Sequence, residues 1–398
     1  MNAWLHIIGI GEDGVDGLSS NARHLIETAE VILGGERHHS LTPDTTAARI
    51  AWPSPFDAMI DTIRAHQGRR FVILVTGDPL WYSVGARILR SIPSEEVCFH
   101  PQLSAFQWGA ARMGWSLADL DTLTIHGRDA EQAIPFFASD RRLLLLTKDS
   151  TSPATVAGLL VQNGYGASEM TVLAALGGPN EKRFDGVAES WALDVPDFHV
   201  LAVTCRAAPD ADLLPRGPGL PDTAFVNDGT MTKSEIRALT VARLAPSRGE
   251  HLWDIGCGCG TVAVEWLRIA RDAEATGIDV RADRLDMARQ NAVRLGAPRL
   301  KLIEGAALDH VGDLPAPDAI FIGGGLSIEL VETCLSALKP HGRLVVNTVT
   351  LESEALLLKL HAKLGGSLTR LSVGRAVALG SGQGWKALSP VTQWSLTK

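Results

Sequence analysis

Residues 250–279 read EHLWDIGCGCGTVAVEWLRIARDAEATGID. An apolar run closes on Asp254, then Gly256, Gly258 and Gly260 open a helix, and a second short strand closes on Asp279. Glycine is needed where the backbone turns sharply and lets a ligand lie against it, and the N–H groups at the helix start face that ligand. An acid at the tip of the neighbouring strand can take both hydroxyls of a ribose. The stretch therefore points to an adenosine-type cofactor. A G-x-G-x-x-G dinucleotide fingerprint starting at Gly256 would need a third glycine where the chain has Thr261. The pattern is instead D-x-G-x-G-x-G, led by Asp254, which suits a ligand that has an amine to hold and no pyrophosphate.

These residues resemble motif I of the class I methyltransferases, and the resemblance implies S-adenosyl-L-methionine. Asp254, Gly256, Cys257, Gly258, Cys259, Gly260 and Asp279 are then the cofactor-binding residues of the C-terminal site. Cys257 and Cys259 have neither zinc nor redox spacing and read as small loop fillers. The other three cysteines are scattered, and no metal site is expected.

With 398 residues the chain has room for roughly two to three domains of about 150 residues. Hydrophobic residues at 45% supply separate cores, and 21% charged residues is ordinary for a globular enzyme. The net charge is −8, and no Lys/Arg run appears, which argues against a nucleic-acid or anionic-membrane partner. No apolar stretch reaches the length of a membrane span, and the start MNAWLHIIGIGEDG lacks a basic leader region, so a cytoplasmic location is expected.

The first half alternates short apolar runs with helical periodicity. Strands are expected at 5–8, 31–33, 71–75, 143–146, 171–175 and 199–204, and helices at 18–30, 56–67, 84–91 and 104–113. Such alternation predicts mainly parallel α/β layers. Residues 207–222, AAPDADLLPRGPGLPD, hold four prolines and no periodicity, which is linker chemistry. The domains are accordingly placed at 1–206 and 218–398, with a Pro-rich linker over 207–217. Beyond the linker, strands are expected at 251–255, 275–279, 300–303, 318–322 and 343–347. Runs near 367–379 and 385–397 read as an antiparallel hairpin completing a seven-stranded sheet.

In the first domain, Gly9-Ile-Gly11-Glu-Asp-Gly14 follows the first strand, but no acid stands at the tip of the next. VTGDPLWYSVG (75–85), PQLSAFQWGAARMG (101–114), LTIHGR (123–128) and LAALGGPNEKRFDG (173–186) follow in order. Together they resemble the tetrapyrrole methylase family over about residues 4–205. That resemblance implies two α/β subdomains clasping S-adenosyl-L-methionine, with Gly77, Asp78, Ser104, Ala105, Gly177 and Gly178 lining the cofactor and the first loop facing the substrate. Glu12 stands where relatives mostly carry Pro, which weakens the expectation for that loop. Gly77-Asp78-Pro79 also fits an ordinary turn.

The stretch 218–261, with FIGGG at 321–325, resembles the decarboxylating methyltransferases of cobalamin biosynthesis. The fold class implied is α/β, a tetrapyrrole methylase fold followed by a seven-stranded Rossmann-like class I methyltransferase. The implied enzyme has two S-adenosyl-L-methionine sites per chain, a tetrapyrrole substrate and a homo-oligomeric state. By the same resemblance Gly305 and Ala306 lie against the adenine, although a strand-end turn fits them equally, and Thr232 lies near the cofactor. Thr232 and Glu235 have capping-box spacing. A tetrapyrrole carries many carboxylates, so Lys233, Arg237 and Arg128 are the substrate candidates. Lys233 and Arg237 fit a solvated helix face equally well, and His126 with Arg128 could simply end a strand. Gly323-Gly324-Gly325 would admit a flat macrocycle. His38-His39 has no metal-ligand company and reads as a surface or substrate-rim position. No general acid or base can be named.

The meso carbons of a reduced tetrapyrrole are already nucleophilic, so alignment and water exclusion matter more than a strong base. Methylation of RNA or protein is the competing enzymatic reading, disfavoured by the acidic charge balance. A nicotinamide-dependent reductase is disfavoured by Thr261, and a non-enzymatic sensor by the intact acids and glycines of the second site.

Overall fold

The computed structural model describes residues 3–398. They divide into two compact units, the first running to Ala211 without Glu131–Phe136, the second comprising Asp212–Lys398 with that segment. Residues 207–217 hold no helix or strand.

The first unit contains two five-stranded sheets. β1 (Leu5–Ile10), β2 (Val31–Gly34), β3 (Ala48–Ala51), β4 (Phe71–Thr76) and β5 (Val97–His100) form an all-parallel sheet in the order β3-β2-β4-β1-β5. Its strands read as near-continuous apolar runs because both faces are covered. Ile7, Leu33 and Ile73 face Met59, Ile63 and Ile88 on one side, and Ile8, Ile32 and Leu74 face Ala22 and Ile26 on the other.

β6 (Asp121–Thr124), β7 (Arg142–Leu146), β8 (Glu169–Ala174), β9 (Lys182–Val187) and β10 (His199–Thr204) form the second sheet, ordered β6-β7-β10-β8-β9. Here the expectation of parallel layers fails: only β6 and β7 run parallel. The cause is topological, since β9 returns beside β8 as a hairpin and β10 inserts antiparallel between β7 and β8. Helix Ala105–Met113 packs on this sheet through Phe106 and Ala110 against Leu144 and Ala202.

The second unit is a three-layer sandwich. β11 (His251–Ile255), β12 (Glu274–Asp279), β13 (Leu300–Glu304), β14 (Ala319–Ile322), β15 (Arg343–Thr348), β16 (Ser367–Leu371), β17 (Gly374–Leu379), β18 (Gly382–Ala387) and β19 (Val391–Thr397) follow in sequence. Seven of them form one sheet, β13-β12-β11-β14-β15-β19-β16, with β19 antiparallel to both neighbours. The tail therefore completes a seven-stranded sheet as expected, but β17 and β18 pair separately as a ribbon inserted between β16 and β19. Helices Ser234–Leu244, Thr261–Ile269 and Ala282–Arg294 bury Val241, Val262 and Ala292 on one face. Helices Ile328–Ala337 and Leu351–Leu364 bury Val331 and Leu357 on the other. The strand order reverses between β11 and β14, which opens a crevice at their carboxyl ends.

Candidate functional site

The crevice of the second unit forms around the turn between β11 and helix Thr261–Ile269. Gly256 has φ +67°, and a Cβ there would lie 2.7 Å from the backbone nitrogen of Gly324. Only glycine lets the two loops close on one another. Asp254, 1% exposed, accepts from the Ala263 N–H at 3.0 Å through Oδ2, while Oδ1 has no partner. Burial, and then the nearby Asp279 charge, push its carboxyl up to about 7. Asp279 accepts from the Gly258 N–H at 2.8 Å through Oδ2 and from the Arg281 N–H at 3.0 Å through Oδ1. Its orientation is therefore fixed before any ligand arrives.

A cavity of about 360 Å³ opens beside Asp279, lined among others by Gly256, Gly305, Ala306 and the three glycines 323–325. Asp254, Cys257, Gly258, Cys259, Gly260 and Thr232 are not on its wall. The two cysteines are buried, and burial pushes both thiols up, Cys259 to about 11. Among the wall residues that escaped the sequence reading are Val280, 67% exposed directly after Asp279, the exposed Leu308, and the cations Arg281 and Arg284. An apolar residue next to a strand-end acid was the available signal.

The start of helix Ser234–Leu244 differs from expectation in two respects. Lys233, not Thr232, is the N-cap, and its side chain makes no capping bond. The helix is instead capped from a distance, with Asp222 Oδ1 accepting from the Ser234 N–H at 2.9 Å. Glu235 is drawn away to Arg375, whose hydrogen bond lowers its carboxyl to about 2. Arg237 is fully buried: it donates to Glu265 at 2.6 Å and to the Thr232 carbonyl at 2.6 Å, and its guanidinium lies 4.6 Å over the Phe225 ring. Its donors are spent inside the fold, which removes Arg237 from the substrate candidates. Lys233 remains partly exposed, donating to the Gly229 carbonyl at 3.2 Å.

The first unit holds a larger cavity of about 630 Å³, lined in part by Gly77, Ser104, Ala105, His126 and Arg128. A Cβ at Gly77, where φ is +65°, would stand 2.8 Å from the Ser104 Cα, so glycine again brings two loops together. Ser104 caps helix Ala105–Met113, accepting from the Phe106 N–H at 3.2 Å. Asp78, Gly177 and Gly178 are not on the wall. Asp78 holds its own turn through the Leu80 N–H at 2.7 Å, and Gly177 donates its N–H to Glu181 at 2.8 Å. Glu12 lines the cavity and pairs with Arg37. Arg128 lies 5.7 Å over the Tyr82 ring, and His126 Nδ1 is 3.2 Å from the Thr147 carbonyl.

His38, read from the sequence as a surface or substrate-rim position, reaches this wall, as do Arg87 and Lys148, which the sequence did not single out. His38 Nδ1 accepts from the Gly35 N–H at 3.2 Å, leaving Nε2 toward Thr76 Oγ1 at 3.0 Å. Burial, with Arg37 alongside, lowers its imidazole to about 4, so the ring is neutral.

Residues 4–192 match the family model of the tetrapyrrole (corrin/porphyrin) methylases, and residues 223–398 match that of the precorrin methyltransferase domain. Over 401 residues, 100% of this chain and 97% of the relative, the sequence is 42% identical to the precorrin-6Y C(5,15)-methyltransferase (decarboxylating) of Sinorhizobium sp. It is 37% identical over 398 residues to the protein of the same name from Mycobacterium tuberculosis strain CDC 1551, covering 98% of this chain and 99% of that one. The solved C-terminal domain of a Rhodobacter capsulatus precorrin-6Y C5,15-methyltransferase is 46% identical, covers 46% of this chain and all of that chain, and has a TM-score of 0.44. At this identity over nearly full length, the chain belongs to the family of decarboxylating precorrin-6Y C(5,15)-methyltransferases.

Proposed function

We infer that this chain is a bifunctional S-adenosyl-L-methionine-dependent C-methyltransferase that methylates C5 and C15 of precorrin-6Y. It also removes the ring C (C12) acetate carboxyl as CO₂, giving precorrin-8X. One cofactor site belongs to each unit, within domains spanning about 1–206 and 218–398. The observation that carries the site in the second unit is the buried Asp254 carboxyl, whose Oδ1 lacks a partner beside the pre-oriented Asp279 under the glycine loop.

That arrangement fits the cofactor. An unpartnered buried carboxylate oxygen is costly, and an ammonium group offsets that cost. Asp279 keeps lone pairs free for ribose hydroxyls, and Val280 with the Gly305-Ala306 backbone offers a surface for adenine. When bound, the cofactor supplies an electrophilic methyl group. The protein aligns a meso carbon with it and excludes water. In the first unit Gly77, Ser104 and Ala105 form the cofactor-facing wall, and Arg128, Arg87 and Lys148 are the cations available to substrate carboxylates. In the second, Lys233, which lies off the cavity wall that Arg281 and Arg284 reach, is assigned that role. Decarboxylation breaks the bond between the acetate methylene and its carboxyl. The electron pair passes into the conjugated macrocycle, CO₂ leaves, and a proton from solvent completes the methyl group.

We place decarboxylation and one methyl transfer in the second unit. The test uses the full chain with ring-acetate carboxyl-labelled substrate at limiting cofactor. Wild type should add two methyls and lose the label, and Asp279→Ala should retain it. Label loss at the wild-type rate in Asp279→Ala would overturn the assignment.

A further inference from the structure

The parallel sheet of the first unit carries a cluster of donor side chains that neither cavity uses. β1 and β5 pair with His6 opposite Cys98 and Ile8 opposite His100. Side chains alternate along a strand, so Cys98 and His100, two residues apart, share a face. Direct opposition places His6 on that face too. All three side chains are half-buried. His6 Nδ1 stands 3.2 Å from His100 Nε2, and ligand atoms of the three residues all lie within 4.8 Å of one another.

A tetrahedral cation bound at about 2.0–2.1 Å by two imidazole nitrogens holds them about 3.3 Å apart, and a thiolate at about 2.3 Å stands about 3.6 Å from each. The observed nitrogen separation already matches, and the sulfur lies within 4.8 Å of both nitrogens. We propose that His6, Cys98 and His100 form a binding site for a late first-row divalent cation, Zn²⁺ by the chemistry of its donors, with a fourth position open to water. Two imidazoles and a thiol suit a borderline-soft ion and not Mg²⁺ or Ca²⁺, which take oxygen ligands. The ligands sit on strands, which hold geometry better than loops.

None of the three side chains is on the wall of the cavity. β1 enters the cavity region only through Gly11, beyond Ile10. Its consequence is mechanical. β5 is an edge strand, and the chain leaving His100 runs within four residues to Ser104 on the cavity wall. A bound cation pins that edge to β1. The spacing Cys98-x-His100 is visible in the sequence, but its partner His6 is brought to it only by the register of β1 on β5.

The alternative occupant of the 3.2 Å gap is a proton, one imidazole donating to the other. Metal-free, tag-free full-length protein titrated with Co²⁺ decides between them. The proposal predicts one equivalent bound with a thiolate-to-cobalt charge-transfer band, lost in Cys98→Ser. His6→Gln and His100→Gln should weaken binding by about tenfold or more, the least that disturbing a metal's outer partners costs. An independent readout needs no variant. Cys98 is the only cysteine of the five that is not buried, so native thiol labelling reports it selectively. Zn²⁺ should slow that labelling at least about tenfold, and a chelator should restore it. No charge-transfer band, a band unchanged in Cys98→Ser, or a labelling rate indifferent to Zn²⁺ would each overturn the proposal.

Discussion

The two cavities are built by opposite strategies. In the second unit the polar groups, Asp254 and Asp279, end neighbouring strands of one sheet, and backbone N–H groups lock Asp279 in place. In the first unit the wall is gathered from residues as far apart as Gly11 and Val200 and mixes aromatic rings with Arg87, Arg128 and Lys148. In the proposed reading the smaller cavity takes one rigid ligand fragment at Asp279. In the same reading the larger one takes a broad anionic substrate beside its cofactor. The difference teaches that the second unit should fail through single acidic or buried residues, and the first only gradually.

The sharpest way to break that contrast is Arg237→Ala. The substitution strands Glu265, itself 1% exposed, without its cation. Removing one member of a buried pair costs about 3–5 kcal/mol. Thermal unfolding should show the second unit destabilised, with Trp253 and Trp266 fluorescence reporting it. Intact cofactor binding in the first unit should persist. A change below about 1 kcal/mol, the range of an exposed pair, would contradict the structural role.

Asp279→Ala comes next. Loss of its charge-assisted bonds should weaken cofactor binding in the second unit by about 1.5–3 kcal/mol. Calorimetry on the full chain should show the first unit's affinity unchanged, and equal weakening at both sites would erase the distinction drawn here.

The first unit's site was less legible than the second's for the same reason that it is more tolerant. The motif 250–279 is contiguous, so its strands, turn and acids could be assigned from spacing alone, and β11 and β12 fall where expected within a residue. His38, Arg87 and Lys148 come together only through tertiary structure. The antiparallel course of β10 between β7 and β8 is equally non-local, and alternating apolar runs do not reveal it. Arg237 illustrates a different blind spot. Helical spacing placed it near Lys233, but its burial depends on Glu265, 28 residues away. The β17–β18 ribbon was hidden because one strand-rich tail reads the same with or without an extra turn.

A pH experiment sharpens the comparison further. Asp254, raised to about 7, holds a proton in the native chain that the unfolded chain has released above the ordinary carboxylate range. Its contribution to stability therefore falls as pH rises from about 4 to about 7. A ligand ammonium favours the ionised form, so affinity at the second unit should rise by on the order of tenfold between pH 6 and 8. His38, held near 4, stays neutral over that range and gives the first unit no such dependence. Matching pH profiles for the two sites would contradict this assignment.

The smallest expected effect is that of Lys233→Ala. It should raise the substrate KM by about fivefold to tenfold, the equivalent of roughly 1–1.4 kcal/mol for a partly solvated cation against a carboxylate, and leave cofactor affinity unchanged. A change in cofactor affinity with an unaltered KM would place Lys233 at the other ligand.

The central claim is that each unit holds its own cofactor. Titration calorimetry of the full-length chain with S-adenosyl-L-methionine tests it most directly. Two molecules per chain are expected for wild type, with only the weaker binding of one of them altered in Asp279→Ala. A wild-type stoichiometry of one would contradict the account.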